Sequence, residues 1–275
     1  MAYLTEPEPP RGVVLPVLPG ISRITASNPG PMTYHGTNTY LLEEPDGIVV
    51  IDPGPEDGGH VDAIIAATGG NIVRILVTHA HRDHFGAVWE LKSRTGAPVA
   101  SFRESSDPEH VPDIPLSDGD RVGSLVAVHT PGHASDHLCY ARPDGLLFSG
   151  DHVMGWCTTV VGPPPRGNMV AFFSSLQRLI EREDRLYLPG HGPALPDPRP
   201  YVREILDRRM AREVEVEAAV RNGMSNPAEI AASLYPKKTH PVLRRAAERN
   251  VLSHLSKLLA EGRVREDGAG GYVAA

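Results

Sequence analysis

The sequence predicts an α/β sandwich of mixed sheets followed by a helical, winged-helix-like C-terminal module. Three observations predict it. Short apolar, strand-like segments alternate with helical ones through about residue 200. Asn71 to Thr78 is a nearly continuous apolar run, as a strand buried on both faces requires. After Pro200 the pattern changes to charged amphipathic helices and then two short strand-like pieces. The expected division is therefore residues 1–200 and 201–275.

Taken in order, Thr39 to Leu42 and Gly47 to Ile51 read as strands joined by a turn at Glu44-Pro45-Asp46-Gly47. The second exits at Asp52-Pro53-Gly54. Val61 to Ala67 reads as a helix. The run at 71–78 leads into a histidine cluster, and Phe85 to Thr95 has helical spacing closed by Gly96. Pro98 to Phe102 and Arg121 to His129 read as strands. Leu138 to Ala141 and Leu146 to Ser149 flank Arg142-Pro143-Asp144-Gly145, a hairpin signal. A helix over Met169 to Glu183 and a short strand at Leu186 to Leu188 follow. Beyond them, helices are predicted over Tyr201–Arg221, Pro227–Leu234 and Pro241–Glu261. The last carries Leu243, Ala247, Leu252, Leu255, Leu258 and Leu259 on one stripe. Arg263 to Arg265 and Gly271 to Val273 complete a two-stranded ribbon.

The formal net charge of −7 argues against indiscriminate nucleic-acid binding by the whole surface. Cys139 and Cys157 form neither a disulfide framework nor a thiolate metal motif, consistent with a reducing, cytoplasmic setting. Residues 1–11 lack the basic start and apolar stretch of a signal peptide, and no apolar run reaches the length of a membrane span.

The chemistry concentrates at His79-Ala80-His81-Arg82-Asp83-His84, four candidate metal ligands within six residues at the mouth of a buried strand. Imidazole nitrogen and carboxylate oxygen are good zinc ligands, and a strand-to-helix loop can aim several at one point. Ala80 between the first two histidines lets a kinked strand end point both the same way. Asp83 and His84 can then face a second centre. Asp52 has two readings: an acceptor that orients a metal-bound histidine, or a turn former before Pro53-Gly54. His152 follows Asp151 with its side chain on the opposite side, so it is expected to point away from the metal site and at most to support a ligand from behind. Asp136 and His137 read as exposed loop residues, and Cys157 as a loop thiol, with contact to a substrate as the other reading. His35, His60, His110, His129, His240 and His254 lack ligand spacing and read as structural or exposed.

The run His79-x-His81-x-Asp83-His84 resembles the signature of the metallo-β-lactamase superfamily. Thr130-Pro131-Gly132-His133, Ser149-Gly150-Asp151 and Pro189-Gly190-His191-Gly192 follow in the matching order, so the resemblance spans about residues 20 to 195. It implies a four-layer αββα sandwich with a catalytic domain over 1–200. It implies that His79, His81 and His133 hold one metal and that Asp83, His84 and His191 hold the other. It implies that Asp151 bridges the two. Two cations a few ångströms apart lower the pKa of a water between them, which supplies a bridging hydroxide near neutral pH. The resemblance therefore implies a dinuclear metal-dependent hydrolase with Asp83 orienting that hydroxide. Two zinc ions are expected, with manganese and iron also suited to carboxylate-bearing sites.

Gly36-Thr37-Asn38-Thr39-Tyr40-Leu41-Leu42, the stretch Gly150 to Trp156 with its continuation Thr158 to Val161, and the C-terminal module are similar to the β-lactamase-like endoribonuclease family. That similarity implies single-stranded RNA as substrate. A glyoxalase II-like hydrolase of small esters, thioesters or lactones is the alternative. Residues 236–265 carry a net charge of +6, leaving −13 on the remainder. Lys237, Lys238, Arg244, Arg245 and Arg249 are the candidate phosphate ligands. The same helix equally suits packing on the acidic body, contact with a second copy in a homodimer, or closure of a substrate pocket.

Overall fold

The computed structural model describes residues 2–237 and 240–275. The first strands are β1 (Leu15–Leu18), β2 (Ile21–Thr25), β3 (Asn38–Glu44) and β4 (Gly47–Ile51), joined as an antiparallel meander. Helix α1 (Gly58–Thr68) follows, started by the Asp57 side chain, which accepts from the amides of Gly59 and His60. Strand β5 (Ile72–Leu76) pairs in parallel with β4. Helices α2 (Arg82–Phe85) and α3 (Val88–Thr95) lead to β6 (Val99–Phe102) and β7 (Ile114–Leu116), both parallel additions. The first sheet thus runs β1-β2-β3-β4-β5-β6-β7.

The second half begins with β8 (Arg121–Val122), β9 (Leu125–His129), β10 (Leu138–Arg142) and β11 (Leu146–Gly150), again antiparallel. Helix α4 (Met169–Ile180) crosses over to β12 (Leu186–Pro189), which lies parallel to β11, and β13 (Leu195–Pro196) forms the edge. The chain then enters α5 (Pro198–Arg221), α6 (Pro227–Leu234) and α7 (Pro241–Ala260), and ends in the ribbon β14 (Val264–Glu266) and β15 (Tyr272–Ala274).

The two sheets face each other across one apolar layer. Tyr40, Leu42, Ile51 and Leu76 of the first meet Leu125, Leu138, Tyr140 and Phe148 of the second. The outer face of the first sheet buries Val50, Ile75 and Val77 against Val61, Ile64, Phe85 and Leu91 of its helices. The outer face of the second buries Cys139, Leu147 and Tyr187 against Phe172 and Leu176 of α4 and Val202 and Ile205 of α5. These are the four αββα layers expected. A separate core of Val216, Val220, Ile230, Val251, Leu255 and Val264 holds the C-terminal module together. Helix α5 contributes to both cores, and the expected 200/201 division falls in its first turn.

Some local expectations change. The single helix over 85–95 is broken at Gly86-Ala87, because Ala87 N donates to Gly54 O at 3.0 Å instead of continuing the helical ladder. The single strand over 121–129 is a hairpin turning at Gly123, whose φ of 60° suits glycine. Strands β1, β2, β7 and β13 were not expected from the sequence. No helix among the described residues is long and apolar enough to cross a membrane.

Candidate metal centre

The histidine cluster hangs off the C-terminal end of β5. Thr78, two residues beyond the end of β5, is held by Asp52, which leaves β4 on the adjacent strand. Asp52 Oδ1 accepts from Thr78 N at 2.7 Å and Oδ2 from the Thr78 hydroxyl at 2.8 Å. Oδ2 also accepts from Nδ1 of His84 at 2.8 Å. Of the two readings of Asp52, the histidine-orienting contact is the one present. The other elements bring their residues to the same edge. The loop after β9 delivers His133, the end of β11 delivers Asp151, and the loop after β12 delivers His191.

The seven side chains fall into overlapping groups. Ligand atoms of His79, His81 and His133 converge, as do those of Asp83, His84 and His191, with Asp151 joining His79 and His84 in a third group. Nε2 of His79 and Nε2 of His133 lie 2.9 and 3.0 Å from Nδ1 of His81. Oδ1 of Asp151 lies 3.4 Å from His84 Nε2 and 3.5 Å from His191 Nε2, while its Oδ2 lies 3.7 Å from His133 Nε2. The Asp151 carboxylate therefore stands between the two histidine sets. Asp83 Oδ2 faces His191 Nε2 at 3.2 Å.

The outward ring nitrogens are tied back to the protein. His133 Nδ1 donates to Val160 O at 2.7 Å and His191 Nδ1 to Gly36 O at 3.2 Å. His79 Nδ1 lies 3.0 Å from the Thr78 hydroxyl. These contacts fix the tautomers so that Nε2 of each faces the centre, the arrangement that metal-ligating histidines require. His84 Nε2, His191 Nε2 and Asp151 Oδ1 are buried and make no hydrogen bond. Buried polar atoms without partners are costly, and a cation satisfies all three at once. On that test the residues fit a pair of divalent metals.

Electrostatics divides the histidines. Burial lowers His79, His133 and, to about 3, His81, so their neutral forms prevail. Burial opposes the cation of His84 and His191 too. The surrounding carboxylates outweigh it, Asp151 foremost, holding His84 well above its usual value and His191 at about 9. Asp83 and Asp151 are correspondingly held below the usual carboxylate range, the histidine charges overcoming their burial.

Glycines allow the crowding. A Cβ on Gly190 would come within 2.6 Å of His84 Cε1 and 2.8 Å of Asp151 Oδ1. Asn38 anchors the loop beyond it, donating from Nδ2 to Pro189 O at 3.2 Å and to Gly192 O at 2.9 Å. This explains the polar Gly36-Thr37-Asn38-Thr39 entry to β3.

Two residues expected to be exposed are buried. His137 packs against the site, and its Nε2 accepts from Asp151 N at 3.2 Å. Asp136 Oδ2 accepts from Ala80 N at 3.2 Å and Ser106 N at 2.8 Å. Both brace backbone that carries candidate ligands, so the solvent-exposed reading is corrected. His152 is buried against Phe172, its ring centroid 4.7 Å away.

Beside the centre lies a cavity of about 260 Å³, lined by His133 and Asp151 on one side and largely by apolar groups elsewhere. Met32, Met154, Trp156, Cys157 and Val160 come from the sandwich. Tyr235, Leu243, Ala246, Ala247 and Asn250 come from the C-terminal module, so α7 forms a wall of the cavity. The basic candidates scatter. Arg249 reaches the metal cavity, Arg244 lines a different one, and Lys237 and Arg245 are exposed. Lys238 lies outside the described residues. Lys257 and Arg263 are taken up by Glu213, Glu217 and Glu261.

Comparison with known proteins supports the fold and the class of protein. The model of the Metallo-beta-lactamase superfamily matches residues 32–191, and that of the Beta-lactamase associated winged helix domain matches residues 227–271. The chain belongs to the metallo-β-lactamase superfamily and is a hydrolase of that group, whose members bind divalent metals. It is similar to a Beta-lactamase-like protein 2 homolog of Drosophila melanogaster, 31% identical, over 90% of this chain and 93% of that one. It is also similar to an Atrochrysone carboxyl ACP thioesterase of Aspergillus chevalieri, 29% identical, over 95% and 90%. A crystal structure of a Beta-lactamase domain protein from Burkholderia ambifaria shares the fold, with a TM-score of 0.83 at 23% identity over 97% of this chain and 95% of that chain.

Proposed function

We propose that the protein is a dinuclear, zinc-dependent hydrolase of small acyl thioesters. The observation that carries the reading is the apolar cavity opening directly on His133 and Asp151. A wall rich in apolar side chains suits an acyl chain, whereas single-stranded RNA calls for a basic groove with stacking platforms. The similarity to a thioesterase points the same way.

In this reading His79, His81 and His133 would hold one cation and Asp83, His84 and His191 the other, with Asp151 available to both. The bound cations supply Lewis acidity and a water acidified to near neutral pH. The chain's residues do the rest. The cavity walls hold the acyl chain and exclude bulk water, and Asp83, partly exposed beside the centre, orients the attacking water. The water oxygen bonds to the carbonyl carbon, the C–S bond breaks, and the thiol leaves with a proton.

The test sets the metal-reconstituted protein against acyl thioesters, lactones and single-stranded RNA, with chelator and with Asp83→Ala as controls. Thioester turnover lost in both controls is expected. RNA cleavage lost in both, with thioesters untouched, would overturn the proposal in favour of a nuclease.

A further inference from the structure

The two cavities at the metal centre differ in character. The larger one is walled by apolar side chains. A smaller one, about 140 Å³, is lined by Met32, His81, Asp83, His133, Asp151, Val160 and the guanidinium-bearing Arg249. Met32, His133, Asp151 and Val160 border both. A substrate with its carbonyl over the metal residues therefore extends one limb into each.

We propose that Arg249, carried by α7, binds a carboxylate or phosphate on the thiol limb of the substrate. This rests on the thioester reading above and names its substrate class: an apolar acyl group joined to an anionic thiol.

Several observations support the assignment. Arg249 makes no ion pair or hydrogen bond among the described residues, whereas Lys257 and Arg263 on the same module are tied to glutamates. Arg249 also faces a site where Asp83 and Asp151 are already engaged by His84 and His191. A guanidinium aimed at a centre built for two dications is repelled by it unless an anion lies between. Its planar fork matches carboxylate and phosphate in bidentate fashion. Arg249 is exposed overall, and one contact locates its guanidinium. It lies against the backbone of Gly162, where an added Cβ would stand 2.7 Å from Nη2 and 3.2 Å from Nε. The φ of Gly162 is outside the left-handed region, so a side chain there would meet the guanidinium and not backbone strain.

The experiment compares three hexanoyl thioesters that share the acyl chain, using the metal-reconstituted full chain. The thiols are N-acetylcysteamine, which is neutral, N-acetylcysteine, which carries a carboxylate, and 4′-phosphopantetheine, which carries a phosphate. We expect kcat/KM to favour at least one anionic thiol over the neutral one by about tenfold, the scale of one partly exposed charge-assisted contact. The better of the two identifies the anion. Arg249→Gln should bring that ratio near one. Gly162→Ala, which displaces the guanidinium and keeps its charge, should lower the ratio as well. Arg244→Gln, which removes the same charge from another cavity, should not. Equal ratios in the wild type and Arg249→Gln overturn the proposal. A second readout is quenching of Trp156 in the cavity wall, titrated with the S-hexyl thioethers of the same three thiols. Binding of an anionic thioether that depends on Arg249, with no thioester cleaved, keeps the anion site and rejects the thioesterase. Cleavage with no dependence on Arg249 in either readout does the reverse.

Discussion

Nδ1 of His84 donates to the Asp52 carboxylate at 2.8 Å, and the same carboxylate accepts both the amide and the hydroxyl of Thr78. One side chain thus fixes a candidate metal ligand and the strand end that carries two more. Behind it, Thr39 donates to Asp52 O at 2.7 Å, and its hydroxyl oxygen accepts from Nε2 of His60 at 2.8 Å.

Asp52→Asn should lower metal affinity by roughly 10- to 100-fold, the usual cost of losing the partner of a ligating histidine. Titration calorimetry or competition with a chelating dye measures it. Asp52 sits at φ 52°, so Asp52→Gly removes the carboxylate while relaxing the backbone. An unchanged affinity in both variants would remove Asp52 from the metal assembly.

Gly190→Ala should disrupt the centre with every candidate ligand left in the sequence, because its Cβ would meet His84 and Asp151 well inside van der Waals contact. Metal content by elemental analysis should fall, and the cost of overpacking is about 1–3 kcal/mol of stability. Full metal occupancy with unaltered stability would contradict the packing described here.

Asn250 couples the C-terminal module to the metal residues. Its Oδ1 accepts from Val161 N at 2.9 Å and from Arg209 at 3.1 Å, and Arg209 also donates to Thr159 O. The intervening Val160 carbonyl orients His133. Asn250→Ala strips a buried amide of its acceptor, so we expect a loss of about 1–3 kcal/mol in denaturant unfolding. The accompanying fall in kcat should exceed any change in the affinity for metal at the His84 side. A variant that is destabilised with kcat intact would limit Asn250 to a structural role.

Burial pushes His60 down to about 4 and His152 to about 3, against an ordinary value of 6.5. Both are neutral in the fold, so below pH 6.5 the unfolded chain binds more protons and stability falls. The loss begins near pH 6.5 and for His60 is complete below about 4. His60→Gln keeps a donor toward Thr39 and should flatten the thermal-denaturation profile in that window by up to about 1.4 kcal/mol per pH unit. An identical acid slope in the variant would show that His60 is not the group responsible.

Much of the fold was written in local pattern. The apolar run at 71–78 marked the buried strand, and turn residues marked the β10–β11 hairpin. The candidate ligands were legible because they crowd at strand exits, where neighbouring side chains can converge. Other features depend on distant partners. Strands β1 and β2 are short and interrupted by a turn at Gly20, and β2 gains its identity from pairing with β3. Asp136 and His137 look like ordinary loop residues until Ala80 and Asp151 supply their backbone partners from far along the chain. The basic face named Arg249 only as one of five candidates, since such a face says nothing about which of its cations reaches a site.

The wall formed by α7 has a consequence for how this scaffold can diversify. The candidate ligands rise from strand ends, whereas Leu243, Ala246 and Arg249 belong to a helix with its own core. Exchanging side chains on that one helical face can alter the length, polarity or charge of what is admitted while the reactive centre stays the same. Substrate range and chemistry are therefore separately adjustable, and selectivity can drift without a loss of hydrolytic power.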